Sequence, residues 1–395
     1  MSERELRERL RAADVPGEEE AAARSWPVVR AAFAQREPVP RETRRGWAVI
    51  PVAAALAVAA AALTSPGRAV FQEMRERIGV EQSRPALFSL PSAGRLLVQS
   101  REGVWVVRAD GSKRLLRGYR EASWSPHGLY VVATRRNELR ALEPDGDVRW
   151  SLARPGVRLP RWGGTRTDTR IAYLSGRSLR VVAGDGTDDR LLASRVARVA
   201  PAWRPGGRHL VAAVGADGRI RLWDADTRAV AAVGPPALPR GSGRWSELAW
   251  SPDGSELFAL GERDDAVWVL DASARVRRGE ASMRGPMLLP GQTKHIEALA
   301  ISPRTSTLAV ARVIAERSVV HAVERGGLRA MFTGAGAVRD VEWSPDGRWL
   351  LVAWEDADQW LFIRSTRVRR IRAVSNISEQ FGGGAFPTLA GWCCP

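Results

Sequence analysis

Cysteine is almost absent from this 395-residue chain: there are two, the adjacent Cys393 and Cys394 near its end. Neighbours in sequence cannot tie distant segments together, so a disulfide-stapled small fold and a cysteine-ligated metal centre are excluded. Histidine is nearly as scarce. The four, His127, His209, His295 and His321, are scattered, and none is spaced with an acid or thiol as a ligand pair. The chain also lacks a Gly-x-Ser-x-Gly nucleophile elbow, a phosphate loop and a full oxygen-ligand calcium loop. The acidic stretches Asp185–Asp189 and Glu262–Asp265 therefore read as solvated hairpin tips. No catalytic, metal or cofactor-binding residue can be named, no cofactor is expected, and the chain reads as a non-enzyme.

Lysine is the third scarcity. Of sixty basic residues only Lys113 and Lys294 are lysines, and the net charge is +16. That arginine skew is what a GC-rich bacterial genome produces by codon bias. The runs Arg275–Arg278 and Arg367–Arg372 fall where an outermost strand is expected, where charge blocks edge-to-edge aggregation. No recognition helix or aromatic-interleaved platform accompanies them, so nucleic acid is not an expected partner.

What the chain has is a repeat. The phrase Trp-Ser-Pro-Asp-Gly stands intact at 250–254 and 343–347, with worn copies at Trp124-Ser125-Pro126-His127-Gly128, Trp203-Arg204-Pro205-Gly206-Gly207 and Ile301-Ser302-Pro303-Arg304. Serine first, proline second and glycine fourth suit a tight turn. An apolar run follows each copy (Glu256–Leu260, Trp349–Ala353), then an alternating strand (Arg219–Asp224, Ala266–Asp271), a second turn (Asp110-Gly111, Asp145-Gly146, Asp185-Gly186) and a short outer strand such as Arg190–Leu192. Period-2 units bounded by Gly, Pro and Asp are strands. Four strands per repeat of roughly forty to fifty residues make a β-propeller blade. The sixteen tryptophans gather at repeat positions (Trp124, Trp162, Trp203, Trp250, Trp343), where their rings are expected to pack between blades.

This grammar resembles the TolB-type and WD-repeat-like propellers over nearly everything after residue 92. The resemblance implies an all-β fold and brings no catalytic residues with it. The Gly-His pair of WD repeats is missing and Trp223-Asp224 is an isolated match, so the TolB-like side is the nearer. A sialidase-type Asp box is excluded, because Gly254 and Gly347 follow their aspartates directly.

Blade count follows from the ends. Strands begin at Leu96–Gln99 and Gly103–Val107 with no phrase before them, and six repeats follow, led by Trp124, Trp162, Trp203, Trp250, Ile301 and Trp343. The closing stretch Phe386–Pro395 looks like a seventh lead strand with Trp392 in the tryptophan place. A seven-bladed ring of four-stranded antiparallel blades over 92–395, its first blade completed by the C-terminal strand, is expected; six blades with a stray tail is the alternative.

Ahead of the ring, residues 47–64 carry no charge and are apolar but half alanine. A single transmembrane helix is expected there, in preference to a buried helix or a cleaved signal, which has few residues before it. Arg41, Arg44 and Arg45 place residues 1–46 in the cytoplasm and the propeller outside the cell membrane. Residues 65–91 read as an amphipathic stalk helix and linker, with Val70, Phe71, Met74 and Ile78 on one face. The tail 1–46 holds two short helical pieces, too little to bury a core alone, in a layout similar to bacterial anti-sigma regulators.

Three functions fit. The first is a membrane-tethered binding or sensor module for a protein, peptide or envelope polymer, contacting the membrane through one helix. The second is a propeller hydrolase, lyase or lactonase with its site in the central channel. In the third, the tail binds a transcription factor such as a sigma factor.

Overall fold

In the computed structural model the described residues are 89–395, apart from 166, 207, 234–243, 262–265, 273–281, 288, 290–292, 325–326, 367–369 and 395. They form seven four-stranded antiparallel sheets arranged as blades. Blades 2 to 7 occupy residues 120–153, 157–193, 202–233, 245–287, 295–335 and 338–375, each built from consecutive strands. Blade 1 combines 95–117 with Thr388–Cys393, which supplies its innermost strand. The seven-bladed expectation and its C-terminal closure are both met. The expected tail, span and stalk lie outside the described residues, as do Arg275–Arg278, Glu262–Asp265 and Arg367–Arg369. Among the described residues no helix is long and apolar enough to cross a membrane.

The hydrophobic core is divided among seven clusters, each joining two successive blades. This explains the sequence texture. The second strand of a blade is covered on both faces by its neighbours, so Leu210–Val214 and Leu350–Trp354 are buried without alternation. The outer strand of blade 2 loses that cover: Val148–Ala153 is exposed or half-buried throughout. Arg372, the end of the second arginine run, sits exposed on the outer strand of blade 7, as expected of an edge.

In its two intact copies the repeated phrase closes the turn after the lead strand by one device. Ser251 Oγ donates to Asp253 Oδ1 (2.6 Å), the Ser255 amide donates to the same oxygen (3.0 Å), and the Glu256 amide donates to Ser251 Oγ (2.9 Å). Ser344, Asp346 and Trp349 repeat it. These donors hold the Asp253 carboxyl down at about 2. In the worn copy His127 replaces the aspartate: the Leu129 amide donates to its Nδ1 (3.3 Å), so Ser125 Oγ, 3.1 Å away, donates there too. Gly254 and Gly347 have φ of +65° and +68°, which only glycine adopts freely.

Candidate functional site: the central channel and its rim

The seven lead strands line the channel. Their tryptophans do more than fill space. Trp124, Trp203, Trp250 and Trp343 donate from Nε1 to the carbonyl oxygens of Gly391, Arg161, Ala202 and Ala300 at 3.2, 2.8, 3.1 and 3.2 Å. Each acceptor lies on the lead strand of the preceding blade, one residue before its own ring-position residue. The buried aromatic thus ties blade to blade while satisfying its polar atom. Trp162 and Trp392 keep the ring position without an Nε1 acceptor.

A second blade-to-blade link comes from acids in the lead strands. Glu121 Oε2 accepts from the Leu159 amide (2.9 Å), Asp340 Oδ2 from the Leu389 amide (3.2 Å), and Glu297 from the Val338 amide (3.3 Å). Pairing of lead and second strands shifts register beside most of these positions, between Arg120 and Ser123, Ile296 and Ala298, and Val338 and Asp340. Such bulges leave backbone donors unpaired, and the neighbouring carboxylate takes one up.

Glu247 and Glu342 differ. Among the described residues no side chain or amide hydrogen-bonds Glu247, and Glu342 is helped only by the Trp343 amide. They interact electrostatically with Asp340 and with Arg161, whose blades are spread around the ring, so these groups face one another across the channel. Each side chain keeps some accessible surface toward the bore, but protein surrounds it. That burial pushes the Glu247 carboxyl up to about 8, with the Asp340 charge adding and Arg161 opposing. Burial also takes Glu342 up to about 8 and Asp340 up to about 7. The Arg161 guanidinium is lowered by burial, against the pull of Glu247, Glu121 and Glu342. The bore can hold protons near neutrality.

At the end of the bore where lead strands begin, a cavity of about 750 Å³ opens between blades 3, 4 and 5. Arg158 enters it from the start of a lead strand, Arg177 from a hairpin, Arg198 from an inter-blade link and Arg244 from the entry to blade 5. Among the described residues no carboxylate lines it. Val196, Val199, Val214 and Trp245 line it as buried residues, and Trp245 is fixed by its Nε1 donating to the Gly218 carbonyl (2.8 Å).

The residues singled out from sequence are dispersed. His209 Nδ1 sits 2.9 Å from Asp226, and buried His321 lies beside Arg312, where burial depresses it to about 4. Asp189 corrects the solvated-tip expectation. Its side chain is 6% exposed and receives Arg154, Arg180 and the Tyr173 hydroxyl. Asp185 does hold an exposed turn, accepting from Thr187. Among the described residues, Glu143, Asp145 and Asp147 form a group of three carboxylates within 4.8 Å of one another, on a hairpin where Arg149 already pairs Glu143. Cys393 and Cys394 are joined to each other beside the Ser125–Gly128 turn.

A family model for the WD domain, G-beta repeat, matches residues 192–224 and 326–363, the first match ending at Trp223-Asp224. Among curated proteins none matches the chain. Solved structures share the fold at low identity. A candidate 6-phosphogluconolactonase from Bacteroides uniformis is 16% identical with a TM-score of 0.50, over 70% of this chain and 94% of that one. Kuenenia stuttgartiensis hydrazine synthase is 14% identical with a TM-score of 0.46, over 62% of this chain and 76% of its own. A chain of a mitotic checkpoint complex is 14% identical with a TM-score of 0.47, over 86% and 88%. The chain is a seven-bladed β-propeller, two stretches of which are similar to the WD repeat.

Proposed function

We propose that this chain is a membrane-tethered, non-enzymatic propeller that captures a protein or peptide partner on the face where its lead strands begin. The observation that carries the reading is the rim cavity of about 750 Å³, whose four arginines have no acidic partner among the described residues. Loops on a rigid ring are where propellers and other repeat folds place recognition. A fold by itself does not specify a partner, whereas the charge and shape of this cavity select one. The charge-free stretch 47–64 supports the tether, and the TolB-like grammar of the repeats suits an extracytoplasmic ring. The tail 1–46 would then face the cytoplasm, in reach of a regulator such as a sigma factor.

The test is a photo-crosslinking amino acid placed in living cells at Ala216, exposed on the cavity, or at Arg372, exposed on blade 7. A defined adduct from position 216 alone supports the reading. Equal labelling at both positions, or at neither, removes the rim as the binding face. Reporter fusions at residue 40 and at the C-terminus should fall on opposite sides of the membrane; two cytoplasmic reporters refute the tether.

The bore favours a second reading. Glu247, Glu342 and Asp340, pushed up to about 8, 8 and 7, could exchange protons at neutral pH as enzyme carboxyls do. Stoichiometric calcium or a transition metal in the purified protein, by elemental analysis, would move the site from the rim to the channel.

A further inference from the structure

Several arginines elsewhere in the central blades are engaged by acids. Arg154 and Arg180 hold Asp189, Arg170 and Arg190 reach Asp168, Asp188 and Asp226, and Arg221 holds Asp217. Arg158, Arg177, Arg198 and Arg244 form no ion pair with any described residue, and all four border one cavity. Three of them, Arg177, Arg198 and Arg244, are exposed. Four like charges around one concavity repel each other, and a ligand that neutralises them recovers that cost. Between the guanidinium groups the wall is apolar and rigid, with Trp245 and Val199 buried in place. A cavity of this volume is the size of ordinary ligand sites.

We infer that this cavity binds an acidic peptide segment, its carboxylates held by Arg158, Arg177, Arg198 and Arg244 and an apolar side chain seated between them near Val199 and Trp245. The inference rests on the reading of the chain as a binding module and names its ligand chemistry. Guanidinium forks match carboxylates bidentately, which gives both energy and geometry. The apolar wall separates a peptide from a phosphate polymer, which has nothing to set against it. The recess separates it from a lipid surface, which cannot enter a concavity.

The test uses the full-length protein and fluorescence anisotropy with a labelled hexapeptide, Glu-Glu-Leu-Phe-Glu-Glu. Hexaglutamate and inorganic polyphosphate serve as comparison probes. The mixed peptide is expected to bind about tenfold more tightly than hexaglutamate, since one seated apolar side chain contributes at least that factor. An Arg198→Glu/Arg244→Glu double variant should weaken binding by about a hundredfold, whereas Arg372→Glu leaves it unchanged. Arg→Lys at the same two positions should give an intermediate loss, because lysine keeps charge but not the fork. Unchanged binding in the double variant, or tighter binding of polyphosphate than of the mixed peptide, overturns the inference. No binding of the peptide together with a partner adduct at position 216 overturns the chemistry and leaves the binding face standing; no binding and no adduct removes both.

Discussion

Two residues along one strand, from Trp245 to Glu247, lead from a basic rim into an acidic bore. Both regions concentrate charge of one sign, yet their chemistry differs. In the bore, Glu121, Glu297 and Asp340 give their oxygens to amides of the next blade, and the uncompensated Glu247 and Glu342 are driven toward their neutral form. At the rim, the four arginines have no acidic partner among the described residues. Charge in the bore is absorbed by the architecture; charge at the rim remains for a ligand.

Breaking the bore should have the largest consequence. Removing residues 382–395 takes one of seven lead strands from the wall and the acceptor of the Trp124 indole with it. The melting temperature should fall by roughly 10 °C or more, with aggregation from the uncovered edge. An unchanged melting curve would show that blade 1 closes without that strand. Next comes the blade-to-blade link. Trp343→Ala should cost about 3–5 kcal/mol by chemical denaturation, the usual loss for a buried large aromatic. Trp343→Phe should cost about 1 kcal/mol, if the bond to the Ala300 carbonyl contributes as an ordinary hydrogen bond does.

Acidity of the bore can be read without touching the wall. Glu247, Glu342 and Asp340 keep their protons in the folded protein at pH values where the unfolded chain, titrating at about 4, has lost them. The folded state then binds more protons, so stability falls as pH rises through that window up to about 8. His321, depressed to about 4, acts in the opposite sense below its unfolded value of about 6.5, which leaves pH 6.5 to 8 as the clean interval. The melting temperature should drop across it, and Glu247→Gln should flatten the drop and raise the value at pH 8. A flat wild-type profile would contradict the burial argument. The smallest effect belongs to the rim: Arg198→Ala and Arg244→Ala should each shift stability by no more than about 0.5 kcal/mol, as exposed substitutions do. A larger loss would mean these side chains hold the fold.

The ring was legible in the sequence because its turn chemistry repeats. Ser-Pro-Asp-Gly names a turn whose hydrogen bonds the structure shows, and Trp392 announced the closing strand without the phrase after it. The worn copy at 124–128 obeys the same demand, with His127 supplying the acceptor that Asp253 supplies elsewhere. The bore was half legible. An acid stands three residues before the lead tryptophan in Glu121, Glu247 and Asp340, a pattern visible without coordinates. That these carboxyls meet across a ring is a long-range fact no local spacing contains. The rim was hidden. Arg158 and Arg177 come from blade 3, Arg198 and Arg244 from the links before blades 4 and 5, and among sixty basic residues none stands out by its neighbours. Asp189 misled for the same reason, since its three partners are supplied by distant turns and strands.

The seam between the first and last strands sets a schedule for biosynthesis. Trp124 reaches its acceptor, Gly391, across 267 residues of chain. As the polypeptide leaves the ribosome, blades 2 to 7 can assemble by neighbour pairing, while blade 1 waits with a bare strand edge beside apolar surface. Long-range pairing of this kind is slow, and the waiting state is the one most exposed to misassociation. Chaperone binding in the cell should therefore concentrate on the nascent ring just before its last strand arrives.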